Sequence, residues 1–324
     1  MPFRNAASTL SRSIDSIRYQ TFHDFEMILI NDGSVDDGKA IVQQYKDPRI
    51  RLYDLPPSGI VAALNKGISE ANGEFIARMD ADDYAHPDRL EKQLRFLTEH
   101  PEIDVLGTRV RYLGDQFTNA GFYHYNEWNN QILSHDQIFK NRFVESPLVH
   151  PSVMARTSVI KKHGGYLEGP FPEDYELWLR LLHEGVHFHK LDETLLDWHD
   201  LPDRLSRTEG RYGTDAFFWL KTNYLVKWLK AYFKNIPPVL IWGTGKSVYS
   251  KSKWLDFYQI DISGYVDVQE KKYAFRGKPV IDYQDISKDY LILSYVSDRI
   301  GRVRIHEYLL TNGFLEGYDF FMMA

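Results

Sequence analysis

The 324 residues contain no cysteine, which excludes disulfides and thiolate metal sites and leaves oxygen or imidazole to hold any ion. Long apolar runs are missing too. The start, Met1-Pro2-Phe3-Arg4-Asn5, turns polar at once, and no later stretch approaches the ~20 apolar residues of a membrane span. A cytoplasmic protein without a transmembrane segment is expected, with peripheral contact at the inner face of the membrane left open. Nor is there an excess of basic residues: 39 Lys and Arg stand against 45 Asp and Glu, a formal net charge of -6. The positive footprint that nucleic acid demands is therefore absent, and no nucleic-acid partner is expected. What remains is ordinary globular composition, 43% hydrophobic and 26% charged, in a chain long enough for one large domain or two.

Apolar residues at Ala7, Leu10, Ile14 and Ile17 recur at helical spacing. The run Glu26-Met27-Ile28-Leu29-Ile30 has the length of a buried parallel strand and stops at Asn31-Asp32-Gly33-Ser34, which puts Asp32 just past it. A helix over 35–45, a strand at 50–53 and a helix near 61–70 continue an alternation that implies a parallel sheet. A strand over 73–79 then delivers Asp80 and Asp82 at its carboxyl end, where open α/β sheets bind ligands. Pro87 suits the first turn of a helix striped by Leu90, Leu94 and Leu97. Residues 107–141 show no clear period. Glu173 and Asp174 open a helix whose Tyr175, Trp178, Leu179 and Leu182 form one face, ending near Gly185. After Pro237-Pro238 a new strand-turn-helix starts at Val239, and a second βαβ unit runs to Asp267, with strands at 279–281 and 290–294.

Asp80, Asp82 and Asp83 put three carboxylates into four residues. In a free loop they would be a solvated turn. At the ligand-binding edge of a sheet, like charges repel unless a cation or a shifted pKa relieves them, and a hard divalent ion fits oxygen donors best. Read as a calcium-binding loop from Asp80, the segment fails, because Ala85 stands where a glycine is needed. A strand followed by Asp-x-Asp is also similar to haloacid-dehalogenase-like phosphatases, in which Asp80 would be a nucleophile. That alternative stays open, although Tyr84 and the position of the motif fit it poorly.

Five ordered motifs together resemble the family 2 glycosyltransferases of the GT-A fold. They are Met1-Pro2-Phe3-Arg4-Asn5, Gln20 to Glu26, Asn31-Asp32-Gly33-Ser34-Val35-Asp36, Ala63-Leu64-Asn65-Lys66-Gly67, and Gly73 to Asp83. Weaker similarity continues through Val149-His150-Pro151-Ser152 and Glu173-Asp174-Tyr175-Glu176-Leu177-Trp178, so that it covers about two thirds of the chain. The resemblance implies an α/β fold, with a mostly parallel GT-A sheet flanked by helices, and inverting transfer from a nucleotide-diphosphate sugar, with UDP expected first. The acceptor would be a saccharide or lipid-linked saccharide, in polysaccharide or glycoconjugate synthesis. Carried over residue by residue, Pro2, Phe3, Arg4 and Asp32 would hold the nucleotide base, Asp80 the ribose side, Asp82 a Mn²⁺ or Mg²⁺ ion, and Asp174 would be the catalytic base. The family has an apolar strand just before its Pro-x-aromatic-Asn motif, so a central first strand is expected to be missing. A non-catalytic scaffold that kept the fold is the rival reading which that gap motivates.

His199, next to Trp198, stands where related enzymes place a residue near the diphosphate, but a lone histidine reads first as a surface or core group. Arg204 and Arg207 read as a solvated face. Gly243-Thr244-Gly245-Lys246-Ser247-Val248 holds the first two glycines of a dinucleotide fingerprint without the third. This part resembles small Rossmann-like domains appended to sugar-modifying enzymes, which implies a structural or interaction role rather than nicotinamide binding. The expected organisation is a GT-A domain at 1–225, a linker at 226–236 and a smaller Rossmann-like α/β domain at 237–324.

Overall fold

The computed structural model describes residues 1–202, 204–268 and 274–324. They divide into two compact units, one formed by Met1–Ile138, Pro147–Gly169 and Glu173–Thr208, the other by Phe139–Ser146, Pro170–Pro172 and Glu209–Ala324.

The first unit opens with β1 (Pro2–Phe3), α1 (Ala7–Arg18), β2 (Met27–Asp32), α2 (Gly38–Gln44), β3 (Ile50–Leu55) and α3 (Ile60–Glu70). The three strands are parallel in the order β1-β2-β3, with β2 and β3 in register from Met27↔Ile50 to Asp32↔Leu55. The helical stripe of α1 does what its spacing predicts, since Leu10 and Ile14 are fully buried. The strand carries on through Asp32 instead of ending before it. Gly33 then turns the chain at φ +65, where a Cβ would stand 2.6 Å from the Pro57 ring, so only glycine fits.

The chain continues through β4 (Phe75–Ala77), β5 (Tyr84–Ala85), α4 (Arg89–Glu99), β6 (Val105–Leu113), α5 (Ala120–Asn129), α6 (His135–Asn141), β7 (Met154–Arg156), α7 (Thr157–Lys162), α8 (Glu173–His183), β8 (Phe188–His199) and the short α9 (Leu205–Thr208). Five of these strands form a mixed sheet in the order β4-β7-β6-β8-β5, in which β6 and β8 are parallel. The strand expected over 73–79 is shorter, three residues paired on one side only, and Pro87 lies just outside α4, whose N-cap is Asp88. The edges of the two sheets line one cavity of about 770 Å³, walled by Met1, Met27, Ile28, Ile30, Phe75 and Ile76 among others.

In the second unit, α10 (Thr214–Tyr232) precedes β9 (Val239–Trp242), α11 (Lys246–Phe257), β10 (Ile262–Asp267), β11 (Ala274–Phe275), β12 (Lys278–Asp282), β13 (Leu291–Ser294), α12 (Arg299–Thr311) and β14 (Phe320–Met322). The sheet runs β11-β12-β10-β9-β13-β14, parallel throughout except for the β11-β12 hairpin. That order, with β9 central and the chain crossing to either side of it, is the doubly wound pattern. The units divide differently from a cut at 226–236. That stretch begins inside α10, where Val226 and Leu229 are buried, so Pro237-Pro238 follows a helix belonging to the second unit. The segment 139–146 also belongs there. Its Phe143 ring lies edge-on to Phe321 at 5.7 Å, and Lys221 donates from Nζ to the Val144 carbonyl at 2.7 Å.

Candidate active site

The acidic turn is built where β4 ends and is held from two sides. From α1, Arg12 donates to the Asp82 carbonyl at 2.6 Å and the Ser13 hydroxyl to the Asp83 carbonyl at 2.7 Å. From the end of β8, the His199 amide donates to Asp83 Oδ1 at 2.8 Å. Asp83 is fully buried, and its Oδ2 has no hydrogen-bond partner, which is costly for a carboxylate unless another group meets it. Oxygens of Asp80, Asp82 and Asp83 lie within 4.8 Å of one another. At that spacing two ionised carboxylates repel by ~3 kcal/mol at an effective dielectric constant of about 20.

The three acids respond differently. Burial pushes Asp82 up to about 6, and the charge of Asp80 adds to the shift. Burial, then Asp82 and Asp80, raise Asp83 well above the usual carboxylate range. Burial works against ionisation of Asp80 as well, yet the Arg78 guanidinium, donating to Asp80 Oδ1 at 2.6 Å, carries it below its ordinary value. The donor set fits a hard divalent ion: the oxygen ligands converge and one buried carboxylate oxygen lacks a partner, whereas His199 reaches the turn through its backbone amide. Arg204 stacks over Trp198 at 4.5 Å, and its charge favours ionisation of all three acids. Arg207 forms an ion pair with Asp200 at 2.7 Å. Both arginines are thus engaged with protein groups rather than forming only a solvated face.

Asp174 lies in the first turn of α8 and is partly exposed, with Oδ1 accepting the Tyr175 amide at 2.7 Å. Burial first, then neighbouring Glu173, raises its carboxyl to about 7. The charges of Arg78 and Asp80 also act on it, so this carboxylate lies within electrostatic reach of the start of the acidic turn.

The remaining sequence-expected residues gather at the ends of β1 and β2. Asp32 is buried, its Oδ1 accepting the Ser58 amide at 2.6 Å and its Oδ2 the Gly59 amide at 3.1 Å, at the start of α3. The exposed Arg4 guanidinium stands 3.9 Å from Asp32 Oδ2. Pro2 is buried beside the cavity, and the Phe3 ring is part of the core, so neither offers an open face for stacking. Asn5, at φ +52, accepts the Val35 amide at 2.9 Å and ties this end of β1 to the turn after β2. Sequence alone counts Asp83 among the clustered carboxylates but gives no role to Arg78 or Arg12. Arg78 stands inside the quoted motif, and a cation two residues before an acid cluster was the available signal.

Comparison with known proteins agrees with this geometry. The family model "Glycosyl transferase family 2" matches residues 1–164. The chain is 36% identical over 195 residues to the O-antigen biosynthesis glycosyltransferase WbnJ of Escherichia coli, covering 57% of this chain and 72% of that protein. It is 28% identical over 204 residues to the E. coli UDP-Gal:alpha-D-GlcNAc-diphosphoundecaprenol beta-1,3-galactosyltransferase, covering 62% of this chain and 72% of that protein. Among solved structures, S. aureus TarS 1-349 in complex with UDP-GlcNAc matches at TM-score 0.56 and 18% identity, over 72% of this chain and 66% of that one, just under two thirds of its length. The chain belongs to glycosyl transferase family 2. It is a glycosyltransferase with the GT-A fold and an additional α/β domain, and the phosphatase reading falls. Among the described residues no helix is long and apolar enough to cross a membrane.

Proposed function

We propose that this glycosyltransferase is metal-dependent and inverting, and moves a sugar from a UDP-sugar to a hydroxyl of a saccharide or lipid-linked saccharide in polysaccharide or glycoconjugate synthesis. What supports the reading is an acidic turn bearing a partnerless buried Asp83 oxygen and, within electrostatic reach of Asp80, Asp174 with its carboxyl raised to about 7. The UDP-Gal named for the E. coli galactosyltransferase supports the nucleotide, and the O-antigen synthesis named for WbnJ supports the class of product.

In this reading Asp32 and Arg4 hold the base, with Pro2 and Phe3 shaping that pocket through their backbone, and Asp80 takes the ribose side. Asp82, with Asp83 beside it, holds Mn²⁺ or Mg²⁺. When bound, the ion offsets the charge of the diphosphate as it departs. Asp174 accepts the proton of the acceptor hydroxyl, whose oxygen attacks the anomeric carbon from the side opposite the diphosphate, so that configuration inverts. Its pKa near 7 suits a base working at neutral pH. Arg204 and Arg12 flank the acidic turn and add positive charge where the leaving group gathers negative charge.

A thermal-shift screen of UDP, GDP and dTDP with and without Mn²⁺ tests the reading, because a ligand that binds only the native state raises the melting temperature. A rise with UDP only when Mn²⁺ is present is expected. Equal binding of UDP in chelator would remove the metal from the mechanism. Release of nucleotide from a donor separates catalysis from a scaffold that only binds.

A further inference from the structure

Residues far apart in sequence, Asn65, Arg78, His150 and Tyr166, are joined by hydrogen bonds that lead to the acidic turn. Asn65, in the Ala63-Leu64-Asn65-Lys66-Gly67 stretch of α3, holds the backbone of Tyr166 at both ends: its Nδ2 donates to the Tyr166 carbonyl at 2.8 Å, and its Oδ1 accepts the Tyr166 amide at 2.9 Å. Gly165 makes this approach possible. It sits at φ +66, and a Cβ there would stand 2.5 Å from Asn65 Oδ1. The Tyr166 hydroxyl lies 2.6 Å from His150 Nε2, and Arg78 Nε donates to the same nitrogen at 3.2 Å. From the far side of that guanidinium, Nη2 donates to Asp80 Oδ1 at 2.6 Å while Nη1 donates to the Met79 carbonyl.

Tyr166, His150 and Arg78 are each only 8% exposed, so water does not substitute for these partners. Because the Arg78 N–H points at His150 Nε2, that nitrogen carries no proton, and the imidazole is neutral with its hydrogen on Nδ1. Burial and the neighbouring Arg78 charge, which lower the His150 pKa well below its ordinary value, agree with this form. A guanidinium is a planar fork, and fixing Nε and Nη1 on two acceptors leaves Nη2 a single direction. That direction is Asp80.

We propose that Asn65, Tyr166, His150 and Arg78 form a positioning chain that fixes the Asp80 carboxylate in the orientation which the nucleotide donor requires. The proposal rests on the reading of Asp80 as a donor-binding carboxylate. None of the four acts on the reacting atoms. They act through Asp80, as preorganised groups behind the one that touches ligand.

The test uses the full chain with UDP and Mn²⁺, measuring affinity by calorimetry and melting temperature in parallel. Tyr166→Phe removes one hydroxyl, and His150→Leu removes the acceptor of Arg78. His150→Gln keeps an acceptor near the Nε2 position. UDP binding about tenfold weaker is expected in the first two, with substantial recovery in the glutamine variant. In an Asp80→Asn background, His150→Leu is expected to add no further loss, because the chain has nothing left to orient. Independent losses that multiply in the double variant would overturn the proposal. So would a normal loss in Asp80→Asn together with unchanged affinity in Tyr166→Phe and His150→Leu. Weakened binding that follows only the fall in melting temperature, with no recovery in His150→Gln, would reduce the chain to a structural element. Unchanged affinity in Asp80→Asn itself, or no binding of UDP by the starting protein, would instead strike at the donor reading.

Discussion

The cavity between the two sheets of the first unit makes a quantitative prediction about strand addition. Its volume of about 770 Å³ has room for some two dozen waters at ~30 Å³ each, yet its walls include Met27, Ile28, Ile30, Leu64, Phe75 and Ile76. On one side, β1 begins at Pro2 and the Met1 amino group donates to the Ile28 carbonyl at 2.8 Å; on the other, β4 is an edge strand. An extended apolar segment of about four residues joined ahead of Met1 would continue β1 along β2 and pair with the open edge of β4. Burying three or four aliphatic side chains stabilises by ~1.5–3 kcal/mol each. Ordering costs about 1–2 kcal/mol per residue for the backbone and ~0.5–1 more for each side chain. New ladder hydrogen bonds add ~0.5–1.5 kcal/mol apiece. The balance favours the extended protein by a few kcal/mol, which in a unit of this size is a rise in melting temperature of ~5–10 °C.

The Met1 amine adds a signature in pH. Burial lowers its pKa from 8.0 to about 5. A base depressed on folding binds fewer protons in the native than in the unfolded state, so its penalty is greatest at low pH and disappears as pH rises through 8. Turning that amine into a peptide nitrogen removes the penalty, so the gain from the extension should be larger at pH 5.5 than at pH 8.5. Scanning calorimetry of chains extended by Val-Val-Ile-Val or by Ser-Asn-Ser-Gly, at both pH values, measures each part. If the two extensions melt together, or the gain is the same at both pH values, the cavity does not take a strand in this way.

Three other outcomes are expected. Asp82→Asn should abolish most of the Mn²⁺-dependent shift given by UDP, and wild-type binding that survives chelation would contradict the role of Asp82. Asp174→Asn should lower turnover by roughly 10²-fold while leaving UDP affinity intact; in the wild type, turnover should rise with pH through about 7, since the base works only when deprotonated. A fragment beginning at Pro237 should fail to melt cooperatively by circular dichroism, because it lacks α10 and the Phe143 that packs on Phe321. A sharp transition in that fragment would restore the boundary read from the proline pair.

How much could be read from sequence depended on what each segment buries. The alternation from α1 to α3 was legible because its buried residues are aliphatic and periodic, as in Met27 to Ile30. Residues 107–141 hid β6, α5 and α6 for the opposite reason. The buried residues of α5 are Asn126 and Asn129, so a search for apolar periodicity is blind to the face it turns inward. The same asparagine-rich end explains why polar residues face in. Asn130 accepts the Val110 amide at 2.9 Å and donates to its carbonyl at 2.8 Å, completing the side of β6 there, while Asn129 accepts from the buried Lys190 Nζ at its side-chain oxygen, 2.6 Å away.

In the site, position was legible and ionisation was not. The place of Asp174 at the start of α8 follows from the apolar period behind it, and the helix dipole there favours a carboxylate. From that alone Asp174 would be fully ionised at neutral pH. Burial outweighs the dipole and Glu173 adds like charge, so the carboxyl titrates near 7 instead. The acidic turn shows the same dependence on neighbours that sequence does not bring together. Asp80 and Asp82 are two residues apart, but Arg78 bonds directly to the first alone, and their pKa values move in opposite directions. Three adjacent acids in a motif are therefore three different groups. Asp80 is held ionised by the protein itself, whereas Asp82, raised by burial and the charge of Asp80, and Asp83, raised by burial and the charges of Asp82 and Asp80, are the pair whose ionisation a bound cation would complete.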